Sequence, residues 1–257
     1  MEDSLTQVTG KEEAVRPATP NDPAIDRQAR IWFSNSWNAI NIDPRENPDM
    51  EERDILRADP QPDGRWVCKR MTFDTTGVNG LLVSPDGKTP YMIQTDAELG
   101  GLRELRSYPI NDDGSLGPYV VLNHFGNDHR GPQRGIAGMC LDSEGSIVGT
   151  AGSWVSRPGQ MIYVWTPQGR MFSTHVMPVG VDMPTNCCFG DADERTLYGT
   201  TLASDLLQLH NTGRRVGSCG RRAGRSPRRP ARLGLRLRDM SEFRDSQRKN
   251  RPLSQQS

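Results

Sequence analysis

Val78 to Thr95 reads VNGLLVSPDGKTPYMIQT, and this stretch decides the fold. An apolar run, Leu81-Leu82-Val83, leads into Ser84-Pro85-Asp86-Gly87, and a second run follows with Tyr91, Met92 and Ile93. Proline pre-sets φ at the first central position of a turn, and Asp-Gly supplies the bend together with a residue that tolerates positive φ. The stretch is therefore expected to be a β-hairpin.

The chain repeats this plan. Asn21 to Ser34 (NDPAIDRQARIWFS), Ile136 to Ala151 (IAGMCLDSEGSIVGTA) and Thr185 to Thr201 (TNCCFGDADERTLYGTT) each set two β-rich runs around a polar turn. With Asn21, Asn79, Ala137 and Asn186 aligned, the successive spacings are 58, 58 and 49 residues. A period of about 50 residues with about four short strands per unit points to a β-propeller. Outer hairpins complete the units: Ile55 to Cys68 around Gln61–Gly64, Leu105 to Leu122 around Asn111–Gly114, and Met161 to Val176 around Thr166–Gly169. Each puts a glycine-containing turn between β-rich runs, as blade hairpins require. Residues 38 to 54 read as a charged, proline-containing loop.

The fourth unit has no such outer half. After Leu206-Leu207-Gln208-Leu209 the composition changes, and from Arg214 onward there are 14 Lys or Arg against 3 Asp or Glu. The zero net charge of the 257-residue chain thus hides an acidic body and a basic end. Three segments follow: a disordered lead-in over 1–19, a partial propeller over 20–213 and a basic low-complexity tail over 214–257. The tail composition favours a low-complexity segment over a nucleic-acid-binding arm, the alternative that its charge leaves open. A mean hydropathy of −0.69 is low for a globular domain and agrees with unpacked ends. No apolar stretch suits a signal peptide or membrane span, so the default is a soluble cytoplasmic protein without a membrane partner. Five cysteines, Cys68, Cys140, Cys187, Cys188 and Cys219, show no CxxC spacing and read as free thiols.

The phrases PNDPAID with RIWFSN, VNGLLVSPDGKTPYM, GMCLDSEG and PTNCCFGDADERTLYGTT together resemble the senescence marker protein, gluconolactonase and luciferin-regenerating enzyme family. The resemblance runs from about Pro20 to Thr201. It implies an all-β propeller of the gluconolactonase type, with about four of six blades in this chain. It also implies hydrolysis of a sugar lactone or similar cyclic ester with a divalent metal, most often calcium, on the axis. Such a cation takes carboxylate, amide and water oxygens, and can polarise the lactone carbonyl or activate water. By motif, Asn79 looks like the amide ligand and Asn21 like the asparagine that contacts substrate or metal-bound water. Asn186 is an uncertain axial residue.

Two departures from the family stand out. Where it has an aspartate before Gly-Met, serving as metal ligand and base, this chain has Ala137. The family's glutamate ligand belongs to a blade before the PND phrase, and here only a polar lead-in precedes Pro20. Metal binding is therefore expected to be weak or absent and lactonase activity low. From another class, the alternative is a non-catalytic propeller fragment serving as a binding or scaffold module.

Other polar groups have bland readings. His124, Asp128 and His129 read as an inter-blade loop, and Cys187 and Cys188 as strand neighbours on opposite faces. The carboxylates of Asp142, Glu144, Asp191, Asp193 and Glu194 read as solvent-facing turn residues. No phosphate-binding glycine loop, GxSxG elbow or HExxH pair is present.

Overall fold

A computed structural model describes residues 20–36, 53–96, 101–129, 131–153, 156–210 and 212–217. The 1–19 lead-in, all of the 38–54 loop but its last two residues, and the tail past residue 217 lie outside the described residues.

The strands fold as successive antiparallel meanders, each pairing only with its sequence neighbours. Blade 1 contains β1 (Pro20–Ile25), β2 (Ile31–Asn35), β3 (Asp54–Pro60) and β4 (Trp66–Arg70). Blade 2 contains β5 (Val78–Val83), β6 (Pro90–Thr95), β7 (Arg103–Ser107) and β8 (Val120–His124). The short pair β9 (Asn127–Asp128) and β10 (Gly131–Pro132) leads into blade 3. Blade 3 contains β11 (Ile136–Leu141), β12 (Ile147–Ser153), β13 (Ser156–Trp165) and β14 (Met171–Val176). Blade 4 has three strands among the described residues, β15 (Pro184–Gly190), β16 (Thr196–Thr201) and β17 (Leu206–Leu209). The expected outer hairpins are thus present in blades 1 to 3. Their extents differ: Asp54, read as the end of a loop, begins β3 and is buried, β4 runs on to Arg70, β7 and β13 start earlier than expected, and His124 ends a strand where a loop was read.

Blades stack face to face, and burial along the strands shows it. The second strands β6 and β12 are buried at nearly every residue, because neighbouring blades cover both faces. The outer strands β8 and β14 have only exposed and half-buried positions. Blades 1 and 2 meet over Trp32, Ile55, Leu81 and Met92, blades 2 and 3 over Ile93, Leu105, Ile136 and Trp165, and blades 3 and 4 over Val148, Val164, Phe189 and Leu197. Each such side chain taken from water contributes about 1.5–3 kcal/mol.

The hairpin turns are closed by side chains as well as backbone. Asp26 Oδ1 accepts the Gln28 and Arg30 N–H groups, each at 3.0 Å, and its Oδ2 accepts Trp32 Nε1–H at 2.8 Å. Asp142 repeats this in blade 3, accepting the N–H groups of Glu144 at 2.9 Å and Ser146 at 2.8 Å. Its other oxygen pairs with the Arg214 guanidinium. Asp142 is therefore buried, 1% exposed, where a solvent-facing turn was expected. The reason is tertiary: residues 212–217 run between the turns of blades 3 and 4. Ser143 N–H donates to Arg215 O, Gly217 N–H to Leu141 O, and Val216 N–H to Glu194 O. Residues 214–217 thus pack on the propeller, past the expected boundary at 213.

Candidate functional site

The inner strands β1, β5, β11 and β15 pack one against the next. Each carries the same irregularity at its start. Register shifts fall between Pro20 and Pro23, Val78 and Leu81, Ile136 and Met139, and Pro184 and Asn186. A β-bulge sets two residues against one and re-aims side chains. The pairs so placed are Asn21-Asp22, Asn79-Gly80, Ala137-Gly138 and Thr185-Asn186.

A bulge leaves backbone groups without ladder partners, and second-strand hydroxyls satisfy them in three blades. Ser34 Oγ accepts Asp22 N–H at 2.9 Å, Thr150 Oγ1 accepts Gly138 N–H at 3.3 Å, and Thr200 Oγ1 donates to Asn186 O at 3.5 Å. The bulges also sit close together. A Cβ on Gly80 would lie 2.8 Å from Ala137 O, and one on Gly138 would lie 2.6 Å from Thr185 O. This matching approach makes Thr185 the counterpart of Ala137. Asn186 therefore falls one place later than the sequence alignment put it, because β15 has one more residue between its bulge and its turn.

The structure brings the expected residues into one cluster. Asn21 Nδ2 donates to Asn79 Oδ1 at 3.1 Å, linking blades 1 and 2. Asn186 Nδ2 approaches Asp22 Oδ1 at 3.5 Å, joining positions 164 residues apart. Ala137 is buried beside them. The functional candidate that sequence reasoning missed is Asp22. Its Oδ2 accepts Leu81 N–H at 3.0 Å, and burial pushes its carboxyl above the usual range, against the opposing effects of the Leu81 and Asn186 hydrogen bonds. Strand alternation turns Asp22 away from Asn21; the bulge is what turns both toward the axis.

The cluster's donor set does not fit the calcium site that the family resemblance implies. Calcium takes six to eight oxygens, and carboxylate charge controls its affinity. Asn79 Oδ1 already accepts from Asn21, and Asn186 Oδ1 accepts Cys187 N–H at 2.8 Å. Asp22 is the cluster's one carboxylate among the described residues and is tied to Leu81, while the Ala137 side chain offers no oxygen. Among the described residues no three His, Cys, Asp or Glu side chains converge as a metal-binding group.

The remaining polar groups stay apart from this cluster. His124 is exposed, with Nδ1 3.4 Å from Glu104 Oε1, a carboxylate already paired with Arg106. His129 is exposed, and the Asp128 side chain lies outside the described residues. Cys187 is buried and Cys188 exposed, as alternation along β15 requires.

Comparison with known proteins agrees with this geometry. Among solved structures, a luciferin-regenerating enzyme is similar at a TM-score of 0.57 and 18% identity, over 78% of this chain and 64% of that one. A gluconolactonase from Xanthomonas campestris gives 0.55 and 24%, over 78% and 60%. A calcium-binding regucalcin from Agrobacterium tumefaciens gives 0.54 and 17%, over 79% and 62%. At these identities the likeness is one of fold, and the chain spans less than two thirds of each relative's length. The family described as SMP-30/gluconolactonase/LRE-like region matches residues 1–203. A matched segment of that extent, over an all-β fold of successive gluconolactonase-type blades, means that the chain belongs to the SMP-30/gluconolactonase/LRE-like family.

Proposed function

We propose that the axial cluster engages a sugar lactone or similar cyclic ester and that this chain hydrolyses it slowly. The observation that carries the reading is the pairing of a retained amide cluster with Ala137 at the position of the family's acid. Family membership and the gluconolactonase among the structural relatives support the substrate class.

Hydrolysis of a lactone needs a base to activate water and donors to stabilise the developing oxyanion. The amides of Asn21, Asn79 and Asn186 supply donors and acceptors suited to hydroxyl and carbonyl groups. A base is what the cluster lacks. The methyl of Ala137 takes no proton, and the Asp22 carboxylate is engaged by the Leu81 N–H and the Asn186 amide. Substrate orientation without proton transfer forfeits the 10²–10⁴-fold, roughly, that general base catalysis contributes.

The test is proton release from D-glucono-1,5-lactone at constant pH, with the full chain, with and without calcium. Turnover within about tenfold of the uncatalysed reaction and indifferent to chelator is expected, with calcium affinity no tighter than about 1 mM by calorimetry. Saturable, chelator-sensitive turnover near the ~10 s⁻¹ common among enzymes would overturn the slow-hydrolysis reading.

A further inference from the structure

We propose that Cys140 and Cys187 are an oxidation site that closes to a disulfide across the interface of blades 3 and 4. Their sulfurs lie 3.7 Å apart, although the residues are 47 positions apart and on different sheets. Closing that gap to a bond of about 2.05 Å asks for a movement of under 2 Å, within reach of side-chain rotation.

The bulge register explains why these two side chains meet. The residue three places past the start of one bulge faces the residue two places past the start of the next. Between blades 1 and 2 the pair is Ala24 and Leu81, and between blades 2 and 3 it is Leu82 and Met139; all four are apolar. The third interface puts two thiols at the same geometric position. Hydrocarbon would fill that place equally well, so packing alone does not account for a facing pair of sulfurs.

The pair is also reachable. Cys140 and Cys187 line a cavity of about 470 Å³ that also borders the exposed Cys188. A hydroperoxide is an oxidant small enough to enter. One thiol gives up its proton and attacks the peroxide oxygen as thiolate, the O–O bond breaks, and the leaving oxygen takes that proton and departs as an alcohol, or as water from hydrogen peroxide, giving a sulfenic acid. The second sulfur then attacks the first, water leaves with the second thiol's proton, and two electrons have passed to the peroxide. The hydrogen bond that the neutral Cys140 thiol donates to the Cys187 sulfur, together with burial, keeps the Cys140 thiol well above the usual cysteine range. Closure therefore accelerates as the pH rises.

Cys188 is the competing thiol. It points to the opposite face of β15 from Cys187 and is exposed, so it is oxidised independently of the pair. Because Cys187 and Cys188 share any proteolytic peptide, the mapping uses Cys188→Ser beside the wild type. Each full-length protein is treated with stoichiometric hydrogen peroxide, alkylated and mapped by mass spectrometry, with melting recorded before and after. The expected result is a linked peptide joining Cys140 to the 187–188 segment in both proteins, assigned to Cys187 by its persistence in Cys188→Ser and its absence from Cys187→Ser. The melting temperature of the Cys188→Ser protein should rise by about 5 °C or more, reversed by dithiothreitol. Persistent alkylation of Cys140 and Cys187 in oxidised Cys188→Ser would overturn the proposal, and that result stands even where Cys187→Ser fails to fold. The readout is independent of lactone hydrolysis.

Discussion

The axial bulges of blades 1, 2 and 4 carry polar side chains, Asn21, Asp22, Asn79, Thr185 and Asn186, whereas that of blade 3 carries Ala137 and Gly138. The backbone device is common to all four, yet the chemistry is not. Blades 1 and 2 join by the 3.1 Å amide bond between Asn21 and Asn79, while blade 3 meets blade 4 where Gly138 leaves no room for a side chain. Scaffold and site are therefore separable here. A bulge persists because hydroxyls and close packing hold it, whatever its side chains do for a ligand.

Substitutions at the bulges break this comparison most directly. Gly138→Ala would drive its Cβ to 2.6 Å from Thr185 O and 2.4 Å from Asn186 Cγ. Because one of these is backbone, relief needs blade movement, and the expected cost is about 2–3 kcal/mol by urea unfolding. Gly80→Ala, facing Ala137 O at 2.8 Å, should cost less. Equal costs would show that the two halves of the axis are held equally tightly.

Next in size is Thr150→Val, which keeps shape but removes the hydroxyl serving Gly138 N–H and C=O. A loss of about 1–2 kcal/mol is expected for stranded buried backbone groups. No change in unfolding midpoint would mean that the bulge does not need the hydroxyl, as blade 2 suggests with Ile93 at the corresponding place.

The pH dependence of Asp22 sharpens the comparison further. Burial raises its carboxyl, so the folded chain holds that proton more tightly than the unfolded chain. The stability it contributes is fully present below the ordinary value near 3.9 and is lost as the pH climbs through the raised folded value. Unfolding of the wild type and Asp22→Asn between about pH 3.5 and 7 should show the variant gaining relative to the wild type as the pH rises. A gap that moves toward the wild type over that range would reverse the assignment.

The smallest effect is expected from Ala137→Asp. It introduces a carboxylate but places it near Asp22, with no further charged ligand among the described residues. Lactone turnover should change by less than about tenfold, the size of a 1.4 kcal/mol barrier change. Full, chelator-sensitive activity in this variant would show that one methyl group was the whole deficit.

Local chemistry was enough to read the hairpins and their repeat. Pro85-Asp86-Gly87 favours a tight turn and the apolar, β-rich runs around it favour strands, so the blade hairpins followed from sequence. Four features did not: the shared axial aim of Asn21 and Asp22, the later place of Asn186, the burial of Asp142 under Arg214, and the meeting of Cys140 with Cys187. Each depends on pairing between distant segments, where a one-residue change in register turns a side chain to the other face. Sequence by itself determined which residues could make blades and that an alanine stands at position 137. Tertiary structure alone decided which side chains face one another, because bulges and blade contacts set that direction and neither leaves a mark in local composition.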